Sequence, residues 1–340
     1  MIKHTIMLAV VIALSFVPAI CDAEREHLIQ GRTMGTAYQV KILTGYSQGI
    51  SGLKDKIDQR LTAINNSMST YQIDSEISRF NDLKQEGQLF QISNDFFKVM
   101  KMAQTIFELS QGAWDGTVNP LVDLWGFGRT GRNREIPQKQ AVAALLPDIG
   151  FDNIKILENA GLLKKRRSIT LDLSSIAKGY GVDQVAEIVQ QAGFKDYLVE
   201  IGGEIFACGR RKDGKLWRIG VNRPRKDAAF DEIYQVVELN HQAFATSGDY
   251  RNFFEIDGIR YSHVIDPRTG YPVSNGVVSV SIIAANCTFA DGMATAVMVM
   301  GHDNGLELIN RLDNVEGLIV VEKPDGSLIP LFSEGFKVVR

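Results

Sequence analysis

The chain is predicted to fold in the α+β class, on three observations. Helical periodicity is strong early, where Ile50, Leu53, Ile57, Leu61 and Ile64 recur at intervals of three and four. Strand-length apolar or alternating runs dominate later, at 197–201, 217–221, 235–239, 277–283 and 318–321. The two types mix without the regular strand–helix alternation that builds a parallel sheet. At 340 residues the chain can bury a substantial core, as one large domain or two modest ones.

Taken in order, residues 1–23 read as an export signal. Lys3 supplies a positive start, Ile6 to Val17 is apolar apart from Ser15, and small residues follow at Ala19 and Ala23. The run is short for a transmembrane helix. Cleavage after Ala23 would leave residues 24–340 as an exported, periplasmic protein. The alternative is a lipoprotein that keeps Cys21 as its acylated first residue at the inner membrane. Ile20 fits that route less well than a small residue would.

The segment 31–36 is expected to open the first strand, and the Ile50–Ile64 pattern gives the first amphipathic helix. A second helix is expected from an Asn94 cap through Phe97, Met100 and Phe107, ending at Gly112. Residues 126–137 are polar and read as a surface excursion, and Lys164-Lys-Arg-Arg167 reads as a turn before a strand. Residues 168–173 alternate apolar and polar, as a half-buried strand does. A helix then runs from Ser174 or Ser175 to Gln191 and closes at Gly193; a helix rich in small residues covers 288–300.

Composition narrows the function classes. The chain is 45% hydrophobic and 23% charged, with a net charge of −3, so it carries no broad basic field for nucleic acid. Beyond the leader only Cys208 and Cys287 remain, too far apart for a disulfide framework or a zinc site; both are expected to be buried and unpaired.

Five constellations could carry chemistry. Ala245-Thr-Ser-Gly-Asp-Tyr-Arg251 and Tyr261-Ser-His-Val-Ile-Asp-Pro-Arg-Thr-Gly-Tyr-Pro-Val273 set Asp249, Arg251, His263, Asp266 and Arg268 among turn formers, where Pro267 and Gly270 interrupt any ladder. The alternative for this stretch is a solvated hairpin. Leu171-Asp-Leu-Ser-Ser-Ile-Ala-Lys-Gly-Tyr180 opens a helix at two serines with Lys178 one turn in. Free N–H groups, the helix dipole and a lysine together suit a phosphate, unless the motif is an ordinary serine cap with a surface lysine. Asp291 and Thr295, four apart on one helical face, can offer two oxygens to a hard cation such as Mg²⁺. Their alternative is a capping aspartate and a threonine bonded to the preceding turn. Met34 and Tyr71 could flank a planar ring or pack in the core. In Gly112-Ala-Trp-Asp115, an aromatic beside an acid could hold a heteroaromatic ligand, or Trp114 could tuck into the core beneath a solvated turn.

In this order the segments resemble the ApbE family, the FAD:protein FMN transferases. The matching pieces are Met34-Gly-Thr36, Met68-Ser-Thr-Tyr71 with Asp74-Ser-Glu-Ile-Ser-Arg-Phe-Asn81, Gly112-Ala-Trp-Asp115, Asp172-Leu-Ser-Ser-Ile-Ala-Lys-Gly179, Gly202-Gly203, Ala245-Thr-Ser-Gly-Asp-Tyr250, Ser262-His-Val-Ile-Asp-Pro-Arg-Thr-Gly270, and Ala290-Asp291 with Ala294-Thr-Ala296. They span residues 31 to 296. One departure stands out: the family commonly has Phe-Asp-Pro or similar where this chain has Trp114-Asp115-Gly116, a wider ring on the flavin side.

The resemblance implies a T-fold-like α+β architecture and one flavin-transferase domain over residues 24–340. It implies cleavage of the FAD pyrophosphate, attachment of FMN through its phosphate to a threonine hydroxyl of an acceptor flavoprotein, and release of AMP. Asp291 and Thr295, with an oxygen near Ser175, would hold Mg²⁺; Asp172 and Lys178 would contact FAD. Met34, Tyr71, Ala113, Trp114, Asp115 and Ile265 would bind the rest of the FAD. A threonine is a poor nucleophile near neutral pH, so a base is needed, and His263 is the candidate, with Asp249 or Asp266 to orient it. The rival readings are a metal-dependent FAD pyrophosphatase, with water in place of threonine, and an exported protein that carries FAD without turning it over.

Overall fold

The computed structural model describes residues 25–128, 134–229 and 232–339. The export signal, Cys21 and the middle of the 126–137 excursion lie outside the described residues. Among the described residues no helix is long and apolar enough to cross a membrane.

The centre is an eight-stranded sheet whose strands lie side by side in chain order, each antiparallel to the next. They are β1 (Arg25–Thr33), β2 (Thr36–Thr44), β3 (Tyr197–Ile201), β4 (Glu204–Cys208), β5 (Gln242–Gly248), β6 (Val277–Ala284), β7 (Glu316–Glu322) and β8 (Leu328–Phe332). Every residue of β6 is buried, because this strand is covered on both faces, and apart from Ser279 and Ser281 it is apolar. Four longer helices build the layer on one face: α1 (Leu53–Met68), α2 (Asn94–Leu109), α3 (Ser174–Gln191) and α4 (Cys287–Met300). A hairpin of Trp217–Asn222 and Ile233–Leu239 covers the other face, meeting Leu198, Ile205, Phe244 and Leu318.

The expected helices form, and so do the expected strands apart from 168–173, with shifts at their ends. The second helix is capped by Ser93, whose hydroxyl accepts from the Phe96 amide, and not by Asn94. Residues 31–36 do not open the first strand; they end β1, turn, and begin β2. Met34 and Gly35, both in the left-handed region, form the two-residue turn of that hairpin. The segment 245–251 is not a loop throughout, since Ala245 to Gly248 complete β5 in the main sheet. The hairpin lies just beyond it, Phe253–Ile256 against Ile259–Ser262. Pro267 and Gly270 do sit in a turn, between the short strands Ile265–Asp266 and Tyr271–Pro272.

Residues 168–173 form no strand. Ile169, Leu171 and Leu173 are buried in alternation as expected, but the backbone partners come from elsewhere. The Asn81 side chain brackets Leu171, accepting from its amide at 2.7 Å and donating to its carbonyl at 2.8 Å. The Asp172 amide donates to the Gly116 carbonyl at 2.7 Å. Periodicity reports burial; it does not say which groups satisfy the backbone. Lys164 also departs from expectation: it closes the short strand Gly161–Lys164 and is fully buried, donating to the Asn81 carbonyl.

α3 and α4 lie against each other at the sheet, and glycine permits the approach. A Cβ on Gly179 would overlap the Cys287 carbonyl. Small residues at this crossing therefore set Lys178 of α3 beside Asp291 of α4.

Candidate active site

A cavity of about 870 Å³ opens where α3 begins, α4 passes and β5 ends. A second, of about 760 Å³, lies under the β1–β2 turn and the end of α1. Tyr71, Asp172, Ser174 and Lys178 line both, so the two form one cleft that bends around the start of α3. Met34 and Tyr71 line the second cavity together, Met34 half-buried and Tyr71 81% exposed. Tyr71 is therefore not a core residue. Ala113, Trp114, Asp115, Ser175, His263, Ile265, Asp291 and Thr295 line the first. The structure thus gathers the expected FAD-contacting, cation-holding and base residues around one cleft.

At the bend stands the start of α3, where the Ile176 and Ala177 amides both donate to the Leu173 carbonyl and the Ser174 amide is capped. Asp172 Oδ1 accepts from the Ser174 amide at 2.8 Å, a cap supplied from outside the helix. Ser175 Oγ accepts from the Trp114 indole N–H at 3.0 Å. Lys178 is not a surface lysine. Its Nζ lies 2.8 Å from Glu204 Oε1 and 3.6 Å from Asp291 Oδ1. Asp291 Oδ2 accepts from the Gly179 amide at 3.0 Å. Asp291 stands in the second turn of α4, whose cap is Asn286, so it is no capping aspartate. Thr295 pairs through its hydroxyl with Ser247 Oγ at 3.0 Å.

Electrostatics at the bend follow from burial. Burial lifts Asp291 above the ordinary carboxylate range, and Glu204 to about 7, while Lys178 offsets only part of this. For Lys178 burial pulls the other way, but Asp291 and Glu204 together outweigh it and keep the ammonium charged.

His263 forms part of the wall of the larger cavity. Its Nδ1 lies 3.1 Å from the Asn252 carbonyl, which can only accept. The proton therefore sits on Nδ1, and Nε2 keeps its lone pair. The Phe127 ring meets the imidazole edge-to-face at 6.3 Å. Burial lowers the His263 pKa, and the charges of Arg134 and Arg260 lower it further against the Asn252 bond. The ring is neutral near neutral pH.

Neither expected orienting acid touches the ring. Asp249 is buried against Arg260, 2.9 Å from its guanidinium, and Asp266 is held by Arg268 at 2.8 and 2.9 Å. Burial pushes Asp249 up to about 6 despite Arg260. A backbone carbonyl does the orienting, and a carbonyl leaves no signature in side-chain spacing.

The Ala113–Asp115 loop also differs from expectation. Trp114 is 1% exposed, packed edge-on to Phe151, and offers no open platform. Asp115 spends its carboxylate inside the protein, accepting from the Thr117 amide, the Thr117 hydroxyl and the Phe151 amide. Burial pushes it up to about 6 against those bonds. Both side chains shape the wall, and Ala113 lies closely buried beside them. The Trp-for-Phe exchange is accommodated by Gly116, where a Cβ would stand 3.3 Å from the Trp114 ring. Ile265 anchors the opposite wall in a small cluster with Leu121, Trp125 and Val142.

Glu204 was not among the expected site residues. Its signal was the Gly202-Gly203 pair after an apolar strand: a two-residue turn returns the chain beside Ile201. Gly202 is left-handed, and a Cβ there would crowd Thr36.

An antiparallel α+β fold with a nucleotide-sized cleft, a helix start and a lysine at its bend defines a site for an extended, phosphate-bearing ligand. Comparison with known proteins is specific. The ApbE family model matches residues 34–319, and the chain belongs to the ApbE family. An FAD:protein FMN transferase of Vibrio cholerae is 42% identical over 307 residues, 89% of this chain and 90% of the relative. One from Haemophilus influenzae is 39% identical over 337 residues, 97% of this chain and 96% of the relative. Among solved structures, the flavin transferase ApbE of Vibrio cholerae superposes with a TM-score of 0.84 at 39% identity, covering 92% of this chain and 98% of that one. The apo form of the Pseudomonas stutzeri flavinyl transferase ApbE gives 0.82 at 34% identity, covering 92% and 95%.

Proposed function

We propose that this chain is an FAD:protein FMN transferase that joins FMN, through its phosphate, to a threonine hydroxyl of an acceptor flavoprotein and releases AMP. The observation that carries this reading is the bent cleft, with Lys178 and the start of α3 at the bend and His263 on one wall. Two cavities meeting at a bend that carries Lys178, and becomes net positive when a divalent cation joins it, suit a dinucleotide whose pyrophosphate lies between two ring systems.

The chain's own groups support each part of the step. His263 Nε2 accepts the proton of the acceptor hydroxyl, and the Asn252 carbonyl holds the imidazole in the tautomer that can do so. The threonine oxygen forms a bond to the FMN phosphorus, the pyrophosphate P–O bond breaks, and its electron pair leaves with AMP. Lys178 and the positive end of the α3 dipole meet the charge on the phosphate oxygens. Asp172 fixes that helix start.

The donors around Asp291, Thr295 and Ser175 are oxygens, which fits Mg²⁺. Among the described residues no three acidic, His or Cys side chains gather as a closed metal cage, in keeping with an ion that shares its shell with phosphate and water. Bound there, the cation would neutralise pyrophosphate charge. Asp291→Ala is expected to abolish turnover and leave the fold intact; wild-type rates at ordinary Mg²⁺ would remove this assignment.

The same reading takes residues 1–23 as an export signal and places residues 24–340 in the periplasm, on the support of the leader's composition. Release of AMP tests the activity. It is expected to require an acceptor peptide with its threonine, and to stop when that threonine is valine. Equal AMP release from the valine peptide would mark hydrolysis by water.

A further inference from the structure

Glu204 is 4% exposed, and its two carboxylate oxygens differ. Oε1 holds Lys178, while Oε2 is buried with no hydrogen-bond partner. A bare carboxylate oxygen out of water is costly, so it persists in a fold only where something compensates it. The neighbours do not. Glu204 and Asp291 are two buried carboxylates sharing the single ammonium of Lys178, with one negative charge in excess when both are ionised.

The position is built, not incidental. The Gly202-Gly203 turn is tight, Gly202 lies against Thr36, and Glu204 pairs with Ile201 in the main sheet. The side chain enters the larger cavity from the sheet, opposite Asp291 and Thr295 of α4.

We propose that Glu204 is a further protein ligand of the cation site, and that Lys178 supplies the site's positive charge when the cation is absent. This rests on the reading of Asp291 and Thr295 as cation ligands. A divalent ion beside Glu204 and Asp291 turns the excess negative charge into a positive one and gives Oε2 a partner. It also frees Lys178, on its flexible stem, to reach a phosphate. Oxygen ligands again select a hard cation.

Mn²⁺ titrated into the FAD-free, full-length protein, read by electron paramagnetic resonance, tests this without turnover. Glu204→Gln keeps the shape and removes the charge, and is expected to weaken Mn²⁺ binding by at least about 10–100-fold, the range seen when groups that only support a metal ligand are removed. Lys178→Met removes the competing ammonium and is expected to tighten it. Glu204→Asp, which keeps the charge, should retain more affinity than Glu204→Gln; equal losses in the two would point to a packing defect and overturn the proposal. Wild-type affinity in Glu204→Gln, with binding lost in Asp291→Ala, would make Glu204 a lysine anchor outside the site and leave the functional reading standing. Wild-type affinity in Asp291→Ala, or no Mn²⁺ uptake by the wild type, would overturn both this proposal and the cation assignment beneath it.

Discussion

His263 shows how a side chain is made a base by its surroundings. The Asn252 carbonyl fixes its tautomer, while burial and two arginines hold its pKa below the ordinary value. A base must be deprotonated to act, so the acid limb of the rate profile should lie below the pH expected of a free imidazole. His263→Ala is expected to slow FMN transfer by about 10²–10⁴-fold, to leave FAD affinity little changed, and to abolish that limb. Weak FAD binding with normal turnover at saturation would make His263 an FAD contact instead. Lys164 illustrates the opposite case, a buried charge held by one carbonyl and the Phe80 face. Burial lowers its pKa from 10.5 to about 8, with Lys84 adding to this and Asp82 opposing it. A lysine whose folded pKa is depressed weakens the fold while both states are protonated. That penalty fades as pH rises from about 8 to 10.5. At about 1.4 kcal/mol per tenfold in proton affinity, less about 1 kcal/mol for the lost bond to Asn81, Lys164→Met should stabilise the protein by roughly 2 kcal/mol at neutral pH. Thermal melts at pH 7 and pH 10.5 check this, since the gain should shrink at the higher pH. A gain equal at both would contradict the charged-burial explanation. Of the residue-level chemistry, His263, Asp291, Thr295 and Lys178 were legible as types and spacings. Asn252 was not, because its contribution is a backbone oxygen. Nor was the internal use of Asp115, whose partners Thr117 and Phe151 are amides and a hydroxyl.

At the scale of elements, the crossing of α3 and α4 sets the distance between Lys178 and Asp291. Gly179 lies in contact with the Cys287 backbone, so even a methyl group must push the helices apart. Gly179→Ala is expected to destabilise the fold by about 1–3 kcal/mol, as overpacking does. The same shift should weaken Mn²⁺ binding, because Asp291 also loses its register with the Gly179 amide. A stable variant with unchanged Mn²⁺ affinity would show that the crossing does not position the cluster. α1 and α2 were readable from periodicity, since each buries one stripe, whereas α4, buried nearly all round, was readable from its small residues. The segment 168–173 shared the alternation of a strand, yet its backbone is held by Asn81 and Gly116, partners remote in sequence. That is why Asn81 ends one of the matched segments: it ties the approach to α3, and with it Asp172, to the Glu76–Asn81 helix. β4 and β5 were missed for a related reason. The first follows a glycine pair and the second ends in polar residues, so neither stands out as an apolar run.

For the whole molecule, the eight strands keep chain order, and the intervals between them carry the site. The long insertion between β2 and β3 supplies Tyr71, the Ala113–Asp115 loop and α3. The insertion between β5 and β6 supplies His263 and Ile265, and α4 follows β6. The mixed class was legible because helix and strand periods coexist without alternation. The order of strands was not, since pairing depends on contacts that no local pattern records. The matched motifs scattered from Met34 to Thr295 become intelligible once the sheet brings their ends to one cleft. The most direct test is the intact mass of a threonine-bearing acceptor peptide after incubation with the purified protein, FAD and Mg²⁺. The expected result is a peptide heavier by one FMN less water, with the flavin on the threonine and AMP in equal amount. An unmodified peptide beside free FMN, or beside intact FAD, would contradict it.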